Sequence, residues 1–569
     1  MANTDEYVDR EKIEAEFFPD RVTFPQWSYR PVVGGGLVEA GLSFAFNRRN
    51  QMHRRELLRL LSLFTLAGGA AWNAPTRSEG SAAPQAASGS VFVPDIELLL
   101  TAAPDEVAVL SGAPTRVWRF SGRLLKGPDG TLQTLPGSYL GPVIRLRRGQ
   151  KVRVRFANQL SEESIIHWHG LDVPERADGH PRLAVGHGRE YFYEFEVTNR
   201  AGTYWYHPHP HMRTGAQVYQ GLAGLLLIHD DEEDGLELPS GGTELLCVIQ
   251  DRQFDARNQL VFHSGVMMEM MNGFLGDRVL VNGRPEPTTE VDAAWLRLRL
   301  LNGSNARIYK LAWSRELPMV VIGGDGGLLE TPLHQQTLTL APGQRADLLL
   351  DLSGLAVGTQ VHLESRLFAE ADAGLVGMMG MRGGGMRGMA GGRSGVPNGA
   401  PLRVMTLRTR ARNGAAFRVP SRLSSFDRAW TTSAGTPVRR VPLTFQRMEW
   451  LIDGRSFAMA DVAAGETVAA GSTQIWEFEN QANPMGMEAA HPIHIHGRQF
   501  RVIARTGGRP TSTLRGAIVD AGWRDTVLVL PGETVRVQVP FTRHPGLYLY
   551  HCHILEHEDM GMMRNFRVT

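Results

Sequence analysis

Cysteine is nearly missing from this chain of 569 residues: there are two, Cys247 and Cys552. Two thiols cannot staple a scaffold, which excludes a disulfide-framed secreted module. Excess charge is missing as well, with 60 basic against 59 acidic residues. That balance removes the electrostatic case for a nucleic-acid binder or a polybasic membrane binder. Only four of the basic residues are lysines, which reads as genomic base composition rather than function. Long apolar runs are absent too. The run at residues 60–72 has 13 residues, against roughly 20 for a helix that crosses a bilayer. A soluble mature protein without stable membrane insertion is expected, and a monomer.

Two features are abundant. Glycine, 63 residues, stands well above its usual share of about 7% and favours a chain of many turns. Histidine is the informative residue. There are 19, and more than half fall into four tight clusters. The length predicts three or four domains.

The beginning of the chain reads as an address. Arg54 and Arg55 directly precede the short run at residues 60–72, the pattern of a twin-arginine export signal. A buried helix or a membrane anchor is the alternative for this run. An Ala/Ser/Pro-rich stretch follows, so residues 52–89 are expected to be signal and linker. This places the mature protein in the periplasm or otherwise outside the cytoplasm. Residues 1–51 have no clear role, and translation beginning at Met52 would explain them. Intact mass of the native protein tests this.

One strand pattern then occurs three times, as GQKVRVRFAN, AAWLRLRLLN and GSTQIWEFEN, ending at Asn158, Asn302 and Asn480. A second recurs further along each copy, as GREYFYEFEV, PGQRADLLLDL and PGETVRVQVPF. Short alternating strands between Gly/Pro turns predict β-sandwiches or barrels. The expected architecture is all-β, with units at residues 90–236, 237–412 and 425–569. GTYWYHPH and GLYLYHCH share a frame, as do HWHG and HIHG. Units one and three thus carry matching histidine pairs, and unit two carries none.

Residues two apart in a strand share a face. His167 and His169, His207 and His209, His494 and His496, and His551 and His553 are therefore four same-face pairs. Eight imidazoles are too many for one ion; three copper ions would divide them as two, three and three. Cys552 lies between His551 and His553 and must point the other way. His491, three before His494, also lies on that opposite side, with His557 and Met562 beyond Cys552. Two imidazoles, a thiolate and a distant thioether form a blue-copper electron-transfer set. Zinc could take HCH with His557, but it favours a closed tetrahedral site and leaves four separate pairs unexplained. In unit one, Pro208 and Ser164 stand where Cys552 and His491 stand in unit three. Cys247, inside the apolar run ELLCVIQ, reads as a buried structural thiol.

HWHG, HPH, HPIHIHG and HCHILEHEDMGM resemble the four copper motifs of the three-domain multicopper oxidases. The similarity extends through MNGFLGDRVLVNG, WLRLRLLNGSNAR and GWRDTV, and looks most like the bacterial branch of cuprous oxidases and laccases. The resemblance implies three cupredoxin-like Greek-key domains and four copper ions. It puts type 1 copper on His491, Cys552, His557 and Met562, and type 2 on His167 and His494. It puts the type 3 pair on His169, His207, His209, His496, His551 and His553. A one-electron donor would reduce type 1, and four electrons would convert O2 to water. A methionine axial ligand implies a lower type 1 potential than an apolar residue there. Asp178 and Glu558 stand where the family keeps proton-delivering carboxylates, with a surface or ligand-orienting role as the alternative. His211, in HPHPH, is expected beside a ligand.

The donor is expected to be Cu(I) or a phenol. The Gly/Met-rich loop at residues 374–392 holds Met378, Met379, Met381, Met386 and Met389. Thioethers are soft donors suited to Cu(I), so the loop reads as a capture site for cuprous ion, against a plain low-complexity loop. MMEMM, at residues 267–271, reads equally well as core packing. Glu488, three before His491, is an acidic candidate at the substrate side of type 1. A copper-sequestering resistance protein without turnover is the alternative from another class.

Overall fold

The structure is a computed structural model that describes residues 92–262, 267–373, 395–411, 417–426, 435–481, 488–541 and 543–569. The expected signal and linker, residues 1–51 and the five methionines of the Gly/Met-rich loop lie outside these. Six β-sheets follow one another as three face-to-face pairs. The first pair spans Ile96–Val107 to Gly224–His229, the second Glu244–Arg252 to Leu402–Arg410, and the third Val438–Gln446 to Met563–Val568. Among the described residues the longest helix, Thr214–Gln220, has seven residues, and no helix is long and apolar enough to cross a membrane.

The sequence repeat has a topological meaning. The strands ending at Asn158, Asn302 and Asn480 each pair in parallel with the strand that opens their unit. Each also pairs antiparallel with the second recurring strand. The terminal asparagine is repeated because its side chain bridges two loops in every copy. Asn158 Nδ2 donates to Glu162 O and Val185 O. Asn302 Nδ2 donates to Arg307 O and Leu340 O, and Asn480 Nδ2 to Ala489 O and Val529 O. An alanine there would remove two loop-bridging hydrogen bonds, at about 0.5–1.5 kcal/mol each.

Alternation along the strands sends Val, Leu, Ile and Phe between the paired sheets, giving one apolar core per pair. Burying each such side chain contributes about 1.5–3 kcal/mol. Smaller apolar clusters weld neighbouring pairs. Trp205 and Leu225 meet Val248 and Leu301, and Ile308 and Phe368 meet Leu528 and Leu530. Cys247 belongs to the second core, its Sγ 4.0 Å from Met405 Sδ, and burial pushes its thiol up to about 12. The fold is all-β, built of cupredoxin-like sandwiches.

Candidate metal centre

The eight imidazoles are delivered by four strands and their ends. Ile166–His169 runs antiparallel to Gly202–Pro208, with His167 opposite His207. His491–Ile495 runs antiparallel to Gly546–Cys552, with His494 opposite His551. The two sheets face each other across the junction of the first and third pairs, and all eight rings are wholly buried. Their ligand atoms form overlapping groups that could each hold an ion: His167 with His494 and His496, His167 with His169 and His207, and His209 with His496 and His551. His167 Nε2 and His494 Nε2 are 3.2 Å apart. His551 Nε2 lies 3.0 Å from His496 Nε2 and 3.4 Å from His209 Nε2. His169, His207 and His553 complete the set, with ring centroids 5.0 to 5.6 Å apart.

Six of the eight rings are oriented by a hydrogen bond from one nitrogen. His167 Nδ1 donates to Asp178 O at 2.6 Å and His494 Nδ1 to Asp525 O at 2.8 Å. His207 and His551 use the carbonyls of Pro208 and Cys552, each at 2.9 Å. His496 Nδ1 donates to Asp178 Oδ2 at 2.8 Å, and His169 Nε2 to Asp525 Oδ1 at 3.0 Å. Such outer bonds fix the tautomer and aim the remaining lone pair inward. One glycine makes the first of them reachable. Gly179 ends the short helix Glu175–Asp178 at φ +89°, and a Cβ there would stand 2.2 Å from Ile166 O.

The donor set fits metal ions. His169 Nδ1, His207 Nε2 and both ring nitrogens of His553 are buried without a hydrogen-bond partner, a cost that ligation removes. Burial, then the neighbouring imidazoles where they add to it, lowers the protonation of all eight. His207 falls to about 3 and His551 to about 4, with the other six lower than usual as well. The rings therefore stay neutral, the form that binds metal.

Two carboxylates adjoin this cluster. Asp178 touches His496, and Glu558 Oε1 and Oε2 lie 3.4 and 3.2 Å from His209 Nε2 and His551 Nδ1. Burial pushes both well above the usual carboxylate range.

The reverse face holds the second site. Cys552 Sγ lies 3.6 Å from both His491 Nδ1 and His557 Nδ1, and the three form a group that could hold one ion. Met562 is fully buried in the same cluster, tied in by Cys552 N–H donating to Met562 O at 3.1 Å. Ile554 N–H points at the sulfur at 3.4 Å. Burial raises the thiol pKa, so a metal must displace the proton to create the thiolate.

Other expected residues are placed differently. Glu488 accepts from Arg509 Nη2 at 3.0 Å, so its charge is already paired. His211 is exposed against Phe457, with ring centroids 5.3 Å apart, and sits on no ligand as far as the described residues go. MMEMM lies within the short helix Met267–Asn272. Met271 is buried, and its carbonyl accepts from His557 Nε2 at 2.8 Å and Trp450 Nε1 at 3.0 Å. Three contributors were missed from sequence: Asp525, Trp450 and that carbonyl. Only Asp525 had a signal, since GWRDTV belongs to the resemblance; a backbone carbonyl leaves none.

With this geometry in hand, the comparisons converge. Family models described as multicopper oxidase match residues 121–233 and 432–569. The multicopper oxidase mco of Staphylococcus haemolyticus is 31% identical over 76% of this chain and 83% of its own length. A laccase of Bacillus stratosphericus is 30% identical over 77% and 90%. The crystal structure of the McoA multicopper oxidase from Aquifex aeolicus superposes with a TM-score of 0.69 at 35% identity, over 84% of this chain and 97% of that one. The chain belongs to the multicopper oxidase family. It is accordingly a copper-binding oxidoreductase that uses O2.

Proposed function

We propose that this protein oxidises a one-electron donor, Cu(I) in preference to phenols, and reduces O2 to water with four copper ions. One observation carries the reading: Cys552 faces His491 and His557 while its neighbours His551 and His553 face the eight-imidazole cluster. A single tripeptide thus joins an electron-accepting site to the place where O2 is reduced. A protein that only sequestered metal would have no use for that linkage.

In this reading His491, Cys552, His557 and Met562 hold type 1 copper, and His167 with His494 hold type 2. The type 3 pair sits on His169, His207 and His553 and on His209, His496 and His551. The copper ions, when bound, supply one-electron storage and the contact with dioxygen. The chain supplies the rest. Trp450 and the Met271 carbonyl fix the His557 ring with Nδ1 toward the sulfur. The packed walls exclude bulk water. Asp178 and Glu558, whose acidity burial weakens, stand within reach to release protons beside the ligand rings.

Preference for Cu(I) rests on soft thioethers: the Gly/Met-rich loop, with Met378, Met379, Met381, Met386 and Met389, is its proposed capture segment. A role in copper tolerance outside the cytoplasm, after twin-arginine export, follows from that preference and from residues 52–89. A broad phenol laccase is the second reading, favoured by the laccase among the relatives.

Oxygen uptake by the copper-loaded protein, with Cu(I) and a simple phenol compared, tests the assignment. Rapid uptake with Cu(I) and weak uptake with the phenol is expected. Strong phenol turnover without a Cu(I) preference makes it a laccase, and no uptake with either leaves sequestration.

A further inference from the structure

The second sheet pair supplies no imidazole, yet its turn at residues 342–345, PGQR, lies against the cluster. Gly343, at φ +81°, packs under His553: a Cβ there would stand 2.9 to 3.1 Å from three atoms of the ring. Gln344 Nε2 donates to Thr526 O at 3.1 Å. Arg345 is wholly buried and uses its whole guanidinium. Nε donates to Thr203 O at 3.0 Å, on the strand that carries His207. Nη1 donates to Gly343 O at 2.9 Å and to Asp525 Oδ1 at 2.8 Å. Nη2 donates to Asp325 O at 2.9 Å and to Asp525 Oδ2. Asp325 in turn accepts from Arg345 N at 2.7 Å.

The carboxylate held by that fork reaches the ligands. Asp525 Oδ1 accepts from His169 Nε2 at 3.0 Å and from Thr526 Oγ1 at 3.0 Å, while Asp525 O accepts from His494 Nδ1 at 2.8 Å. One guanidinium from the second pair therefore fixes a residue that orients one imidazole of the first pair and one of the third. A planar, bidentate arginine can impose this geometry; the point charge of a lysine cannot.

The geometry points to Arg345 as a positioning residue for the type 2 side of the cluster, acting through Asp525 on His494 and His169. The sheet pair without ligands thereby acts as the clamp that sets the spacing between the two that have them. This gives the PGQR and GWRDTV motifs a common purpose. The proposal rests on the reading that His167 and His494 hold type 2 copper.

The test compares copper-loaded wild type with Arg345→Met and with the double variant Arg345→Met/Asp525→Asn, which removes the buried charge left behind. Three quantities are read: copper per chain, the blue absorption of the Cys552 site and the type 2 EPR signal. Arg345→Met is expected to keep the blue absorption and to hold type 2 copper about 10- to 100-fold more weakly. The double variant is expected to fold with a blue site and still lack a wild-type type 2 signal. Arg345→Lys should retain type 2 copper with altered EPR parameters. A wild-type type 2 signal and affinity in Arg345→Met overturns the proposal. So does full recovery in the double variant, which reduces Arg345 to a charge partner, or joint loss of the blue and type 2 signals in the double variant. A wild-type protein with no type 2 signal overturns instead the reading on which the proposal rests.

Discussion

The first and third sheet pairs carry one histidine frame and differ in what stands behind it. In both, an HxHG strand faces an HxH strand, and the opposed histidines are turned by equivalent carbonyls: Pro208 for His207, Cys552 for His551. Behind the third pair's frame lie His491, Cys552, His557 and Met562. In the first pair Ser164 and Pro208 stand at the places of His491 and Cys552, and the strand registers put Gln217 and Leu222 at the places of His557 and Met562. There, Ser164 Oγ donates to Gln217 Oε1 at 2.8 Å, and Gln217 Nε2 donates to Glu162 Oε1 and Glu163 O. Arg213 is drawn outward to Glu162 at 2.8 Å. The same backbone therefore carries a soft metal site in one copy and a closed polar network in the other. The frame places the cluster; four side chains on its reverse face decide whether an electron can reach it.

The largest expected effect follows from breaking that reverse face. Cys552→Ser keeps the strand and both flanking histidines but removes the soft ligand and the bond path. Blue absorption should vanish and oxygen uptake should stop with every donor, while copper remains on the imidazole cluster, as seen by metal analysis and EPR. Residual turnover above about a tenth of the wild type would show that electrons enter by another route.

This contrast explains what could be read in advance. Strand alternation put His167 with His169 and Cys552 opposite His551 without any structure, because a period of two is a property of the backbone. The Asn-terminated repeats foretold three copies of one topology for the same reason. Orientation was not legible. The rings of His167, His494 and His557 are aimed by the carbonyls of Asp178, Asp525 and Met271, and a carbonyl has the same chemistry at every residue. Nor could the sequence tell that Glu488 is neutralised by Arg509, twenty-one positions on, or that His211 turns to the surface while His209 turns in.

The carboxylates come next, with an effect of about a hundredfold or more on oxygen reduction. Glu558 is supplied by the third pair and contacts His209 of the first, whereas Asp178 is supplied by the first pair and contacts His496 of the third. Glu558→Gln and Asp178→Asn should each slow O2 consumption with the blue site still rapidly reduced by the donor, measured by stopped-flow. Unchanged steady-state turnover in both variants would remove the proton-delivery role and leave them as orienting groups.

Protons also separate the two regions in the copper-free protein. The folded state keeps His207 near 3 and His551 and His557 near 4, against about 6.5 when unfolded. Unfolded chains thus take up protons the native state refuses, and stability falls as pH drops below 6.5. Each such ring costs about 1.4 kcal/mol per pH unit. The opposite arm belongs to the third pair: Glu556 and Asp559 are raised by burial to about 7 and 8. They are protonated when folded and ionised when unfolded, so stability also falls as pH rises from about 4.5 toward 8. Among these groups rings outnumber acids, three to two, which places the optimum near pH 6.5. Urea midpoints of the apo-protein between pH 4.5 and 8 check this; a midpoint that rises on acidification below pH 6.5 would contradict it.

The smallest expected effect is an absence, and it tests the comparison most directly. Ser164→His with Pro208→Cys copies the thiolate and one imidazole into the first pair. No second blue absorption should appear, because Gln217 and Leu222 occupy the positions of His557 and Met562. A thiolate with a single imidazole lacks the trigonal set that defines such a site. Stability should drop by about 1–3 kcal/mol, as Gln217 loses its buried donor. Adding Gln217→His and Leu222→Met restores the full complement of side chains, and only then should copper per chain rise by one with added blue absorption. A second blue band in the double variant would mean that the strand frame itself, rather than the four side chains, makes the electron-transfer site.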